Sequence, residues 1–103
     1  MKAKGTILIV DDTPDNLRFL SKMLIDSGYE VKRAINGKMA LMGIYAAPPD
    51  LILLDIMMPE LDGFEVCQKL KSSDLTREIP VIFLSALHEA IDKVRAFEVG
   101  GVD

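Results

Sequence analysis

Three short runs in this chain are apolar without interruption, at residues 7–10 (ILIV), 51–54 (LILL) and 81–84 (VIFL), and each stops abruptly on a polar residue. A half-exposed strand alternates apolar and polar positions, so unbroken runs of this length predict strands covered on both faces, as in a parallel sheet. A fourth run, EVKRA at 30–34, is mixed. Its Glu30, Lys32 and Arg33 suit a strand at the sheet's edge, where charge also discourages pairing with other chains.

Helical patterns separate these runs. Thr13 is placed as an N-cap with Pro14 at the first helical position, where a missing N–H costs nothing, and Leu17, Leu20 and Leu24 then share one face. Gly28 supplies a left-handed stop, residues 38–45 form a shorter helix, and Pro48-Pro49-Asp50 breaks the chain before the next strand. A third helix follows Asp62-Gly63 and buries Val66, Cys67 and Leu70; a fourth places Ile91, Val94 and Phe97 on one face and ends at Gly100. Strand followed by helix, repeated in this way, implies right-handed crossovers and an α/β fold with a doubly wound parallel sheet. Ligands of such sheets sit beyond the carboxyl ends of the strands.

Composition narrows the class without changing that picture. A chain of 103 residues that is 50% hydrophobic and 27% charged is expected to form one domain, residues 1–103, around one core. A net charge of -4 with only scattered basic residues argues against direct nucleic-acid binding. The single cysteine, Cys67, has no internal disulfide partner and is read as a small buried hydrophobe in a reducing, cytoplasmic setting. The first apolar run ends at Asp11, too soon for a signal-peptide core of about 7–15 residues, and no stretch approaches the roughly 18 apolar residues of a membrane span. The expectation is a soluble protein without membrane contact.

The chemistry is expected where the strands end. Asp11 and Asp12 close the first run, Asp55 closes the second and Ser85 the third. Carboxylates leaving neighbouring strands at the same sheet edge converge, and their repulsion calls for a cation. With hard oxygen donors and neither histidine nor thiolate nearby, Mg2+ fits best; it binds through one or two carboxylates and leaves positions for phosphate oxygens. Beside such an ion Asp55 can act as a nucleophile toward phosphorus and form an acyl phosphate, toward which Ser85 offers a hydroxyl donor. Taken alone, an Asp11-Asp12 pair is more often helix-capping acid, Ser85 a loop hydroxyl, and His88 a solvated residue. Asp62, Gly63 and Pro59 read as turn and cap chemistry, and the methionines at 39, 42, 57 and 58 as packing and loop residues.

The acidic pair after ILIV, the block LLDIMMPELDGFE and the block VIFLSA together resemble the receiver domain of two-component response regulators. Three separated blocks in matching order and spacing make the resemblance specific, and it covers essentially the whole chain. It implies a flavodoxin-like sheet with strand order 2-1-3-4, and Asp55 as phosphoacceptor. It also implies Mg2+ held by Asp12, Asp55 and the Met57 main-chain carbonyl, with Asp11 acting through water. Ser85 and the Ala86 N–H would hold the phosphate. The implied donor is a histidine kinase or phosphotransfer domain, and the implied chemistry is limited to Asp55 itself, with no turnover of an external substrate.

Receivers of this kind continue past the equivalent of GGVD into a fifth strand bearing a lysine and then a last helix, whereas this sequence stops at Asp103. With the fifth strand and last helix absent, the expectation is an exposed fourth-strand edge, homo-oligomerisation by edge pairing or exchange of elements, and weaker coupling of a bound phosphate to Ser85. Met57 and Leu87 are apolar where many relatives carry polar groups, which implies slow hydrolysis of the acyl phosphate. Two other functions compete with the receiver. One is an interaction module in a truncated or engineered fragment. The other is a magnesium-dependent phosphohydrolase with an aspartyl nucleophile, which calls for Asp-x-Asp rather than adjacent acids and for a lid that this length does not accommodate.

Overall fold

The computed structural model describes residues 4–84; the expected fourth helix, with Ser85, Ala86, Leu87 and His88, lies outside the described residues. Along the described chain run β1 (Thr6–Val10), α1 (Pro14–Asp26), β2 (Glu30–Ala34), α2 (Gly37–Ala46), β3 (Leu51–Leu54), α3 (Gly63–Lys71) and β4 (Val81–Phe83). The strands form one parallel sheet in the order β2-β1-β3-β4, as expected, with β2 at an edge.

The unbroken apolar runs are explained by two core layers. Ile7, Ile9, Leu51 and Leu53 face Leu17, Leu20 and Leu24 of α1 on one side of the sheet. Leu8, Val10, Ile52 and Leu54 face Ala40 and Ile44 of α2 and Val66 and Leu70 of α3 on the other. Every residue of β3 is fully buried, each contributing about 1.5–3 kcal/mol of apolar burial. The VIFL run departs from expectation: the ladder covers only Val81–Phe83, and Val81 and Phe83 are partly exposed. Among the described residues β4 pairs on one side only, with β3, so its outer flank has less cover. Cys67 is also only half-buried, at the margin of the second layer rather than inside it.

Helix ends follow local chemistry. α1 begins at Pro14 after Thr13, but the Thr13 side chain makes no capping bond. The helix closes in a Schellman arrangement, with Gly28 at φ +98°, Gly28 N–H donating to the Ile25 carbonyl and Tyr29 N–H to that of Leu24. α2 is longer than residues 38–45 because Asn36 caps it, its side chain accepting from Met39 N–H at 2.8 Å. α3 starts in a reciprocal capping box: Asp62 accepts from Glu65 N–H at 2.9 Å and Glu65 from Asp62 N–H at 3.1 Å. The loop after α3 is tied down by the buried Thr76 hydroxyl, which donates to the Leu70 carbonyl at 2.7 Å, and by Lys71, which donates to the carbonyls of Arg77 and Ile79. No described helix is long and apolar enough to cross a membrane.

The capping box assigns Asp62 to the fold and not to a ligand set. Asp62→Ala is expected to lower stability by about 0.5–2 kcal/mol in urea unfolding while leaving divalent-ion affinity, measured by calorimetry, unchanged.

Candidate functional site

The parallel register sets the site. Val10 of β1 lies opposite Leu54 of β3, so the residues one step further, Asp11 and Asp55, leave the sheet side by side. Backbone bonds hold both: Asp55 N–H donates to the Val10 carbonyl at 2.9 Å and Asp11 N–H to the Ala34 carbonyl at 3.1 Å. Asp12 completes the group, and one carboxylate oxygen from each of Asp11, Asp12 and Asp55 lies within 4.8 Å of the others. Unit charges about 5 Å apart repel by on the order of 3 kcal/mol at an effective dielectric of about 20, so this is an expensive arrangement for a fold without a counter-ion.

The three acids differ in their surroundings. Asp11 is 3% exposed, and both its oxygens are already used, Oδ1 by Thr13 N–H at 2.8 Å and Oδ2 by Asn16 Nδ2 at 3.2 Å. Here the capping reading is partly right: Asp11, not Thr13, takes the bond at the start of α1. Asp12 is exposed and Asp55 half-buried, with Asp55 Oδ1 accepting from Met57 N–H at 3.3 Å. Burial raises the Asp55 carboxyl above its ordinary pKa and the charge of Asp11 raises it further; the Met57 N–H opposes this and Asp12 adds to it. The donor set is hard and anionic, contains neither histidine nor cysteine, and fits a small divalent cation such as Mg2+.

The loop after Asp55 is fixed from below. Gly63 N–H donates to the Ile56 carbonyl at 3.0 Å, and a Cβ at position 63 would run into the Asp55 carbonyl and come within 2.8 Å of Ile56 Cα. Glu60 sits at φ +68° in a tight turn closed by Leu61 N–H on the Pro59 carbonyl. Met58 is buried whereas Met57 is 81% exposed, so one methionine anchors the loop and the other projects into solvent. Met39 and Met42 are likewise exposed and do not pack in the core. Phe64 and Phe83 pair at 5.2 Å beside a shallow depression lined by Ile56, Met57, Met58, Asp62 and Phe64. Leu84 N–H donates to the Leu54 carbonyl, carrying the backbone alongside β3 as far as the residue before Ser85; Ser85 and Ala86 themselves lie outside the described residues.

Two residues of the site escaped sequence reasoning. Asn16 steadies Asp11 from the first turn of α1, and Gly63 matters for the close approach of α3 to Asp55, beyond the turn it marks. A polar residue five positions after the first acid was the available signal for Asn16.

The raised Asp55 carboxyl has a definite sign for stability. A folded pKa above the unfolded value of about 3.9 means that the folded state holds the proton more tightly, so ionisation destabilises the fold. The penalty is absent below the unfolded pKa and is fully felt once pH has risen through the folded one. Asp55→Asn is therefore expected to raise Tm at pH 7 in metal-free buffer, with the gain shrinking as pH is lowered through the folded pKa and gone below about 4, followed by circular dichroism.

Comparison with known proteins agrees with this geometry. A family model described as the response regulator receiver domain matches residues 7–103. Similar curated proteins include one from Vibrio cholerae named as a probable cyclic di-GMP phosphodiesterase, 48% identical over 95% of this chain and 22% of its own length. Response regulator PleD of Caulobacter vibrioides is 45% identical over 94% of this chain and 21% of its own length. The DNA-binding regulator RpaA of Synechocystis is 41% identical over 94% of this chain and 40% of its own length. The chain thus spans about a fifth of the length of the first two relatives. Among solved structures, the N-terminal domain of a response regulator receiver protein from Methanoculleus marisnigri superposes with TM-score 0.79 at 38% identity, covering 89% of this chain and 78% of that one. The receiver domain of a histidine kinase from Syntrophus aciditrophicus does so with TM-score 0.77 at 40% identity, covering 94% and 74%. The family match takes in all of the four-stranded sheet but its first residue, and the chain belongs to the response regulator receiver domains of two-component signalling.

Proposed function

We propose that Asp55 accepts a phosphoryl group from a phosphohistidine on a partner histidine kinase or phosphotransfer domain, in a magnesium-dependent reaction, with residues 1–103 as the receiver domain. The observation that carries this reading is the convergence of Asp11, Asp12 and Asp55 at the carboxyl ends of β1 and β3. Asp12 and Asp55, with the Met57 carbonyl, would hold the Mg2+ directly. Asp11 would act through water, because both its oxygens are already taken by Thr13 and Asn16. When bound, the ion neutralises charge on the transferring group.

The chain's own residues do the rest. An Asp55 carboxylate oxygen forms a bond to phosphorus as the P–N bond breaks, and the imidazole nitrogen leaves with the electron pair. The Met57 N–H orients the second Asp55 oxygen, and Gly63 and Ile56 keep the loop in place. Ser85 and the Ala86 N–H are proposed to receive the phosphate oxygens, from the family resemblance. The phosphodiesterase and DNA-binding activities named for relatives belong to those longer proteins, so the expectation of no nucleic-acid contact is confined to these residues. A cytoplasmic location is part of the same proposal.

Incubation with magnesium and acetyl phosphate is expected to give a single phosphate adduct in intact-protein mass analysis, absent from Asp55→Asn and from samples containing EDTA. Steady release of phosphate without an adduct would instead indicate a hydrolase, and no reaction a bare interaction module. Exposed, apolar Met57 also leaves water unaided at the acyl phosphate. Met57→Asn is expected to speed adduct decay several-fold in a timed mass assay, and an unchanged half-life would remove Met57 from that role.

A further inference from the structure

Among the described residues, the face made by β2 and α2 sets basic side chains beside exposed apolar ones. Residues 31–49 hold Lys32, Arg33 and Lys38 and no acid, in a chain whose net charge is -4; Lys32, in register with Leu8, lies on the α2 side of the sheet, and Arg33, in register with Ile9, on the α1 side. Lys32, Arg33 and Lys38 form no ion pair with any described carboxylate. The nearby acids are engaged by Thr6: Glu30, on the same side of β2 as Lys32, accepts from its hydroxyl at 3.3 Å and Asp50 from its N–H at 2.7 Å.

On this basic ground α2 is apolar on both faces. Gly37, Ala40 and Ile44 are buried inward, while Met42 is 68% exposed and Met39 and Tyr45 are 46% exposed outward, with Ile35 beside them at 52%. A helix apolar all round is normally covered all round. Beside this stripe a cavity of about 120 Å³ enters between α2 and the sheet, walled by Leu8, Ala34, Met39, Ile44 and Pro49, with Lys32 at its rim. Nothing stands within 4 Å of where a Gly43 Cβ would be, so the helix is bare there. Small-molecule pockets run to about 300–1,000 Å³, so this recess suits a single apolar side chain rather than a whole ligand.

We infer that the α2–β2 face docks an acidic amphipathic helix of a partner protein, with one apolar side chain seated in the cavity and carboxylates set against Lys32 and Lys38. The charges along β2 oppose pairing of a further strand at that edge, and methionines give the stripe an adaptable surface. A bilayer has no side chain to seat in a recess, and a second copy would have to bring the same cationic face to an isologous contact.

The test uses a synthetic peptide with leucines at i, i+3, i+4 and i+7 and glutamates on its flanks, titrated into the isotope-labelled chain and followed by NMR, with a lysine-flanked peptide as its counterpart. Shifts confined to residues 31–49 with the glutamate peptide support the assignment. So does at least tenfold weaker binding by Lys32→Glu, by Gly43→Leu, which blocks the recess, and by the surface change Met42→Glu, which spares the fold. Equal binding of the lysine peptide, shifts elsewhere, or indifference to these variants would overturn it. A dimer in sedimentation that Met42→Glu abolishes would overturn it in favour of a second copy. Binding to phosphatidylglycerol vesicles lost in the same variant would overturn it in favour of a membrane.

Discussion

Everything at the functional end of this molecule depends on the register between β1 and β3. The bond from Asp55 N–H to the Val10 carbonyl places two aspartates on adjacent rungs past the end of the sheet, where their charges oppose each other. The fold tolerates this by treating the acids unequally. Asp11 is buried but receives two hydrogen bonds, whereas Asp55 is partly desolvated and receives one from Met57. The pair is not neutralised internally, and stability is given up at this end of the sheet.

The apolar layers make that tolerance possible. A sheet buried on both faces by α1 on one side and α2 and α3 on the other is stiff enough to hold like charges together. α3 transmits the constraint most directly, because Gly63 lets its first turn lie against the backbone of Asp55 and Ile56, and the Asp62–Glu65 capping box keeps that turn wound. The same glycine that shapes the turn thereby fixes the carbonyl edge of the loop beneath the Asp55 carboxyl.

The parts of this design that were legible in the sequence are those written in local pattern. ILIV and LILL announced two-sided strands because every residue in them is buried or nearly so, and the charges of EVKRA announced an edge. VIFL carried the same pattern but lies at the margin of the described sheet, and one-dimensional hydrophobicity does not say how many neighbours a strand has. Thr13 is the N-cap by position, yet its side chain makes no capping bond, and the local bond at that point is instead from its own N–H to Asp11. Cys67 followed the helical period of α3 but falls on the shoulder of its buried face. Asn16 and Gly63 act through contacts between segments, which spacing does not reveal.

On the proposed function, a phosphoryl group on Asp55 would sharpen the same electrostatics. A phosphate would take the local charge at Asp55 from about -1 to nearly -2, raising the repulsion from Asp11 and Asp12 and with it the need for bound cation. Asp11 cannot withdraw without breaking its bonds to Thr13 and Asn16, and the Asp55 backbone is held by Val10. Between these fixed points and α3 lies the turn from Met57 to Leu61, which contains Glu60 at a positive φ and carries an exposed methionine. Its far end runs into the first turn of α3, where Phe64 meets Phe83 of β4. The Asp55 carboxyl and the ring pair that joins α3 to the sheet's margin are thus linked by one short stretch of backbone.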